Sequence, residues 1–150
     1  MRRIEPYPLW LGHIGDARDP RRVLDAGITA LVDLAVEEVP AVKVRELVYC
    51  RIPLEDGTGN TPELLQLAVQ TVVGLLQARM PTLVFCGAGM SRSPAIASAA
   101  LALWTGQTCE DCLALVKQFG PGDVSVGLWQ DVRDAWARLK ALAKPGERGA

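Results

Sequence analysis

The sequence has one histidine, four cysteines and no long uninterrupted apolar run. His13 is the only imidazole, and Cys109 and Cys112 are the only closely spaced cysteines, so a four-ligand zinc site cannot be assembled from thiolates and imidazoles. The first residues include Arg2 and Arg3 but no apolar segment of signal-peptide length, and no run approaches a membrane span. We therefore expect a cytoplasmic protein that uses no metal or other cofactor and has no membrane partner.

An excess of charge of one sign is also missing. The chain has 16 lysines and arginines against 17 aspartates and glutamates, which gives a net charge of −1. This near balance argues against nucleic acid or an anionic membrane as the main partner. With 150 residues and 49% hydrophobic content, the chain suits one globular domain with a sizeable core. The composition does not indicate an oligomeric state.

The most informative stretch is residues 81–94, PTLVFCGAGMSRSP. Residues 82–85 are apolar and partly β-branched, which predicts a buried strand of a parallel sheet that ends at Cys86. Gly87 and Gly89 allow a tight turn there, and Ser93 and Pro94 are typical of a helix N-terminus. Backbone N–H groups and the positive end of a helix would then surround one point, which predicts an anion cradle that stabilises a thiolate.

The spacing Cys-x5-Arg lets one loop wrap a tetrahedral phosphate. In such a loop the sulfur of Cys86 lies beneath phosphorus, and the guanidinium of Arg92 holds two phosphate oxygens. The residues CGAGMSRS resemble the signature loop of the cysteine-dependent protein phosphatases, and the AG-x-SRS form is most similar to the dual-specificity branch. The resemblance implies a protein tyrosine phosphatase-like fold and a phosphocysteine intermediate. It assigns phosphate binding to Gly87, Ala88, Gly89, Met90, Ser91 and Arg92.

The reaction also needs a general acid from another segment, because the leaving oxygen must be protonated. Asp56 follows a predicted strand in a glycine-rich stretch, where the resembled family carries its acid, and the match is closest to the small cyclin-kinase-associated type. Glu55 is the alternative acid, and Asp56 could instead form only an Asx turn. The family also implies that the Ser93 hydroxyl bonds the cysteine sulfur; helix capping is the alternative role for Ser93.

Hydrophobic periodicity and capping signals predict an α/β fold with a single domain over residues 1–143 and a polar tail over 144–150. The expected sheet has about five mostly parallel strands, flanked by helices. The predicted strands are residues 7–14, 28–35, 46–53 and 82–85, with 46–53 next to 82–85. The predicted helices are residues 19–26, closed by Gly27, a long helix capped by Thr61, and residues 94–104, 108–119 and 126–143.

Other polar and thiol residues are assigned structural roles. Asp33 lies within an apolar strand and Asp123 in a turn. Cys109 and Cys112 are predicted helix residues, with a metal or redox role as the alternative. Cys50 is a strand residue, or else a thiol that protects an oxidised Cys86. The tryptophans are expected in the core or at its rim; they are Trp10, Trp104, Trp129 and Trp136.

Two features bear on the substrate and on the class of function. The loop between Cys86 and Arg92 has no lysine, whereas phosphoinositide-directed relatives of the resembled family carry basic residues there, so a lipid substrate is disfavoured. The chain is also too short for the domain of the larger tyrosine-specific relatives, so the resemblance implies a shallow cleft that accepts phosphotyrosine and, in addition, phosphoserine and phosphothreonine. A phosphorylated protein or a small phosphomonoester is therefore the expected partner. Phe85 stands where the resembled family has histidine, so a catalytically weak phosphate-binding adaptor stays open as an alternative. A rhodanese-like sulfurtransferase is a third interpretation.

Overall fold

The computed structural model describes residues 1–41 and 44–143. Within them, five strands form one sheet in the order β1-β2-β5-β3-β4, in which β1 is antiparallel to β2 and the other neighbours are parallel. The strands are β1 Arg2–Arg3, β2 Leu9–His13, β3 Ala30–Ala35, β4 Val48–Leu54 and β5 Thr82–Cys86. The helices are α1 Ile14–Ala17, α2 Pro20–Asp25, α3 Pro62–Gln77, α4 Arg92–Thr105, α5 Cys109–Gln118 and α6 Val126–Leu142. The predicted α/β class and mostly parallel sheet are confirmed.

Two apolar clusters cover the two faces of the sheet. The larger includes Val84 and Cys86 of β5 and joins them to helices α3 to α6. The smaller includes Leu83 and Phe85 and joins them to α1 and α2. Successive side chains of a strand point to opposite faces, so β5 divides its residues between the two clusters. Both faces are covered, which explains why β5 carries no polar alternation in the sequence.

Local sequence signals place the helix ends accurately. The Thr61 and Thr108 side chains accept hydrogen bonds from the N–H groups of Leu64 and Asp111, so each threonine caps its helix as predicted. Gly106 ends α4 with a φ of +79°, a left-handed conformation that favours glycine. Residues that can be recognised along the chain therefore mark the starts of α3 and α5 and the end of α4.

Two expectations need correction, and one strand was not predicted. The strand predicted over residues 7–14 ends at His13, because Ile14 begins the short helix α1. The strand β1 is only two residues long, which is too short for an alternation of apolar and polar residues to predict it. The strand β4, expected beside β5, pairs with β3 instead, and β3 lies between β4 and β5.

The proposed tail, residues 144–150, lies outside the described residues, so the domain boundary at residue 143 stays a prediction. Among the helices described, none combines the length and the apolar character needed to cross a membrane.

Candidate active site

The loop between β5 and α4 lies at the carboxyl end of the parallel strands, where open α/β sheets place their ligands. Cys86 is the last residue of β5 and is 2% exposed. Gly89 has a φ of +74°, and a Cβ atom there would lie 2.8 Å from the carbonyl oxygen of Gly12. Both the backbone conformation and the close approach to β2 therefore require glycine at position 89.

Ser93 lies in the first turn of α4, and its Oγ is 3.3 Å from Cys86 Sγ. The N-cap of this helix is Ser91, so helix capping is not the role of the Ser93 side chain. Ser91 Oγ instead accepts a hydrogen bond of 3.2 Å from the N–H of Ser125, which ties the loop to the start of α6. The hydroxyl that faces the cysteine sulfur is thus the one that the sequence resemblance implies.

Arg92 is the first residue of α4 and is 5% exposed. Its Nη1 donates to the carbonyl oxygen of Leu54 at 2.9 Å and to Glu37 Oε2 at 2.7 Å, and its Nη2 donates to Glu37 Oε1. This two-pronged ion pair lowers the pKa of Glu37 and raises that of Arg92, in each case mainly through the hydrogen bonds between them.

Sequence reasoning missed Glu37. The residue lies in the loop after β3, 55 positions before Arg92, and only the pair of adjacent glutamates at 37 and 38 could have drawn attention to that loop. The loop is held in turn by Arg51, whose Nη2 donates to the carbonyl oxygens of Ala35, Val36 and Glu38 at 3.0 to 3.4 Å. Arg51 thus supports the segment that places the Glu37 carboxylate.

The donors of Arg92 that remain free define what the site can bind. A guanidinium has five N–H donors in one plane. Both N–H groups of Nη1 are used, one by the Leu54 carbonyl oxygen and one by Glu37. Nη2 donates one of its two N–H groups to Glu37, so the other N–H of Nη2 and the N–H of Nε remain free. Arg92 Nε is buried and has no partner in the described structure. These two parallel donors match two oxygens of one tetrahedral oxyanion.

Asp56 and Asp123 complete a cleft of about 230 Å³ that is otherwise lined by residues of the 86–92 loop. Asp56 is exposed in the loop after β4, and Glu55 is not among the lining residues. Asn60 closes that loop, since its side chain accepts from the Glu55 N–H at 2.8 Å and donates to the Glu55 carbonyl at 2.9 Å. The sequence-predicted acid therefore lies in the same cleft as the cysteine and the arginine.

Asp123 was expected to have only a structural role in a turn. Its backbone N–H does bond the Met90 carbonyl oxygen at 2.7 Å, which fixes the loop between α5 and α6 against the 86–92 loop. The residue also lines the cleft, however, and has no side-chain hydrogen bond in the described structure. A second carboxylate at the mouth is thus a feature that the sequence prediction did not include.

Phe85 has no exposed surface and packs in the smaller apolar cluster, on the face of the sheet opposite to the cluster that contains Cys86. Its ring fills space among residues such as Leu31 and Leu83. The phenyl group is therefore part of the apolar core and leaves the cleft side of the loop to other residues.

The remaining cysteines lie away from the cleft. Cys109 and Cys112 are buried on α5, and burial raises the pKa of Cys109 to about 12. No cluster of potential metal ligands occurs within residues 1–41 and 44–143. Cys50 on β4 is two strands from β5, or about 10 Å at the usual spacing, which exceeds the ~7 Å Cα separation that a disulfide tolerates. A disulfide between Cys50 and Cys86 would therefore require the backbone to move.

Two further assignments agree with the structure. Asp33 has no exposed surface; it accepts a hydrogen bond from the Tyr49 hydroxyl and lies 3.6 Å from Arg51, so its role is structural. The four tryptophans are half-buried and pack at the rims of the two apolar clusters.

Neither a protein-family model nor a curated protein matches the sequence. Solved structures do match: human DUSP28 superposes with a TM-score of 0.83 at 23% identity, over 95% of this chain and 99% of that one. A mouse putative dual specificity phosphatase, solved with zinc tungstate, gives a TM-score of 0.83 at 24% identity, over 95% of this chain and 89% of that one. Human tyrosine phosphatase-like serine/threonine/tyrosine-interacting protein gives 0.79 at 22% identity, over 93% and 97%. The resemblance to the dual-specificity phosphatases is thereby confirmed for the fold.

Proposed function

We propose that this chain hydrolyses phosphate monoesters through a cysteinyl-phosphate intermediate. Its proposed substrates are phosphotyrosyl proteins and, because the cleft is shallow, also phosphoseryl and phosphothreonyl proteins. The observation that carries the proposal is Arg92, which lines the same cleft as Cys86, is 5% exposed and has a buried Nε without a partner. A buried charged donor without a partner is costly, and an oxyanion would satisfy it. Tungstate, present in the mouse structure, is an oxyanion of this kind.

In the first step the thiolate of Cys86 attacks phosphorus, and the bond from phosphorus to the leaving oxygen breaks. Asp56 gives its proton to that oxygen, so an alcohol or phenol departs. Arg92 holds two equatorial oxygens through Nε and Nη2, while the loop N–H groups and the start of α4 face the remaining charge.

In the second step a water oxygen attacks phosphorus and passes a proton to the Asp56 carboxylate. The bond between sulfur and phosphorus breaks, and inorganic phosphate leaves. The electron pair returns to sulfur, where the hydroxyl of Ser93, 3.3 Å away, donates a hydrogen bond to the developing thiolate. Asp56 is then protonated again, and the cycle can restart.

A phosphate-binding adaptor is the second candidate. Two observations favour it. Phe85 precedes Cys86 where the resembled family has histidine, and one protein of similar fold is the human tyrosine phosphatase-like serine/threonine/tyrosine-interacting protein. An adaptor would need Arg92 and the loop, but it would not need Asp56 in the cleft or Ser93 beside the sulfur. The presence of both favours the enzyme.

The test is turnover of an aryl phosphate by the purified chain, with and without a chelator, and with thiosulfate in a parallel assay. We expect chelator-independent phosphate release, because the chain supplies nucleophile, charge clamp and acid. Cys86→Ser should abolish release and retain tungstate binding by calorimetry. Cys50→Ser is the matched control, since this thiol lies outside the cleft, and it should behave as the parent does.

The outcomes separate the candidates. Tungstate binding without turnover in the parent would favour the adaptor, and turnover of thiosulfate alone would favour the sulfurtransferase. Undiminished phosphate release by Cys86→Ser would refute the mechanism.

A further inference from the structure

We propose that the cleft selects phosphorylated residues that have a lysine or arginine beside them in the protein substrate, and that the Asp123 carboxylate binds this positive charge. The inference rests on the proposed function and adds the sequence context of the substrate to it. Asp123 is a specificity residue in this scheme, distinct from the proton donor Asp56.

The charges of the cleft support this division. Arg92 is the sole cation among its lining residues in the described part of the chain, and the Glu37 carboxylate already balances it. Asp56 must be protonated for the first step, so it adds no charge in the reactive state. Asp123 then remains as an unpaired anion at the mouth. An acidic group next to the phosphate would meet Asp123 without a compensating cation, whereas a basic group would complement it.

The free Nε of Arg92 indicates where the phosphate and the basic side chain of a substrate would lie in the cleft. This donor is buried without a partner and belongs to a residue that lines the cleft, so an oxyanion suits the deep end of the cleft. The two carboxylates therefore do not form a simple cation site at the base of the cleft. The anion binds at the bottom and the cation at the rim, which matches a phosphorylated residue with a basic neighbour.

The surroundings of Asp123 suit an extended peptide. Val126 begins α6 three residues later and is 87% exposed. Ser125, the residue before Val126, donates its N–H to Ser91 of the 86–92 loop. Gly127, the residue after Val126, lies against Thr58 of the loop that carries Asp56, since a Cβ atom at Gly127 would contact the Thr58 side chain. An exposed apolar side chain thus follows the turn that carries Asp123, and we infer that it can pack against a substrate side chain.

Two described cations, Lys117 and Arg2, lie near the turn that carries Asp123, but neither lines the cleft. The Lys117 side chain runs past Gly122, with its Cγ 3.6 Å from the position of a Cβ there, and Lys117 does not line the cleft. Arg2 donates to the carbonyl oxygens of Gly89 and Pro121, at 3.5 and 2.9 Å, from outside the cleft. Arg2 therefore braces the two loops, and its charge also acts on Cys86. Within the described residues, neither Arg2 nor Lys117 forms an ion pair with Asp123 or lines the cleft.

The test compares kcat/KM for two phosphotyrosyl peptides that differ only in having arginine or glutamate next to phosphotyrosine. An exposed pair contributes about 0.2–1 kcal/mol, so we expect the parent to prefer the basic peptide by up to about fivefold at low salt. The preference should shrink at about 1 M salt, where the Debye length falls to about 3 Å. Asp123→Asn should remove most of it, and Asp123→Lys should reverse it.

Asp25→Asn is the matched control for a change in net charge. Asp25 is exposed at the end of α2, which leads to the amino end of β3, whereas the cleft lies at the carboxyl ends of the parallel strands. This variant should keep the full preference. Asp123 makes its structural contact through its backbone N–H, so its substitutions preserve that hydrogen bond and the fold.

Failure of this inference can be told apart from failure of the proposed function. If the aryl phosphate is turned over but both peptides react equally, the inference is wrong and the function stands. If Asp123→Asn slows both peptides alike and most for poor leaving groups, Asp123 is an acid and not a specificity residue. Preference for O-phosphoethanolamine over an uncharged alkyl phosphate, with no discrimination between peptides, would assign Asp123 to a small substrate and refute the peptide context.

Discussion

The ion pair between Glu37 and Arg92 makes the most direct test of how the cleft is held. Glu37→Gln keeps the length of the side chain but removes its charge, and it sets an amide donor against one of the two guanidinium nitrogens. Arg92 keeps its hydrogen bond of 2.9 Å to the Leu54 carbonyl oxygen, so the guanidinium loses one side of its support. We expect it to become less fixed without leaving the cleft.

The size of the effect follows from burial. Hydrogen bonds to charged groups contribute about 1.5–3 kcal/mol, whereas exposed ion pairs contribute about 0.2–1 kcal/mol. The side chain of Arg92 is 6% exposed and that of Glu37 is 47% exposed, so the pair falls between these limits. We expect Glu37→Gln to cost about 1–2 kcal/mol of unfolding free energy, or about 2–8 °C in Tm for a domain of this size. Because misplacement by about 1 Å can cost about 10²-fold, kcat/KM should fall by up to that factor.

The dependence on pH gives a second readout. Arg92 holds the pKa of Glu37 below its ordinary value of 4.5. A carboxylate whose pKa is lowered by folding stabilises the protein above its unfolded pKa, and this contribution is lost as the pH falls through the folded value. The stability gap between the parent and Glu37→Gln should therefore be full at pH 7 and shrink as the pH falls below about 4.5.

Thermal and urea unfolding from pH 7 to pH 3 would measure this gap. Glu38→Gln is the matched control, because Glu38 pairs with the exposed Arg18 at 3.2 Å and should have little effect. Equal stability of Glu37→Gln and the parent at pH 7, or an undiminished gap at pH 3, would refute the assigned role of the ion pair.

Three further substitutions probe the loop. Gly89→Ala forces a φ of +74° on alanine and sets its Cβ against Gly12, so it should cost about 1–3 kcal/mol of unfolding free energy in urea and most of the turnover. Gly74→Ala on α3 is the control, because a Cβ there has open space and should cost neither. Equal results for the two variants would contradict the close packing at Gly89. Ser93→Ala removes the hydroxyl 3.3 Å from Cys86 Sγ and should slow breakdown of the intermediate, seen as a burst of leaving group before a lower steady rate; an unchanged kcat without a burst would argue against this role. Phe85→His buries an imidazole in an apolar cluster and should cost about 1–3 kcal/mol; unchanged stability would show that the ring is not essential to the core.

The parts of the structure that the sequence predicts well depend on neighbours along the chain. The caps at Thr61 and Thr108 bond N–H groups three residues later, and the turn after α4 depends on the conformation of Gly106 alone. The 86–92 loop is similarly local, so its cysteine, glycines and arginine can be recognised together. Glu37 could not be found this way, because its pairing with Arg92 requires the loop after β3 to lie beside the start of α4. No periodicity or motif in the sequence encodes that proximity.

Asp56 shows which inferences about a sheet tolerate an error in strand order. The strand before it was expected to neighbour β5, but β3 lies between them. The placement of Asp56 in the cleft stands all the same, because all parallel strands of a sheet end at the same edge. Arg92 spans the intervening strand, since its Nη1 reaches the carbonyl oxygen of Leu54, the last residue of β4. The direction of the strands therefore brings Asp56 toward Cys86. The order of the strands determines that Arg92 must reach across β3 to contact β4.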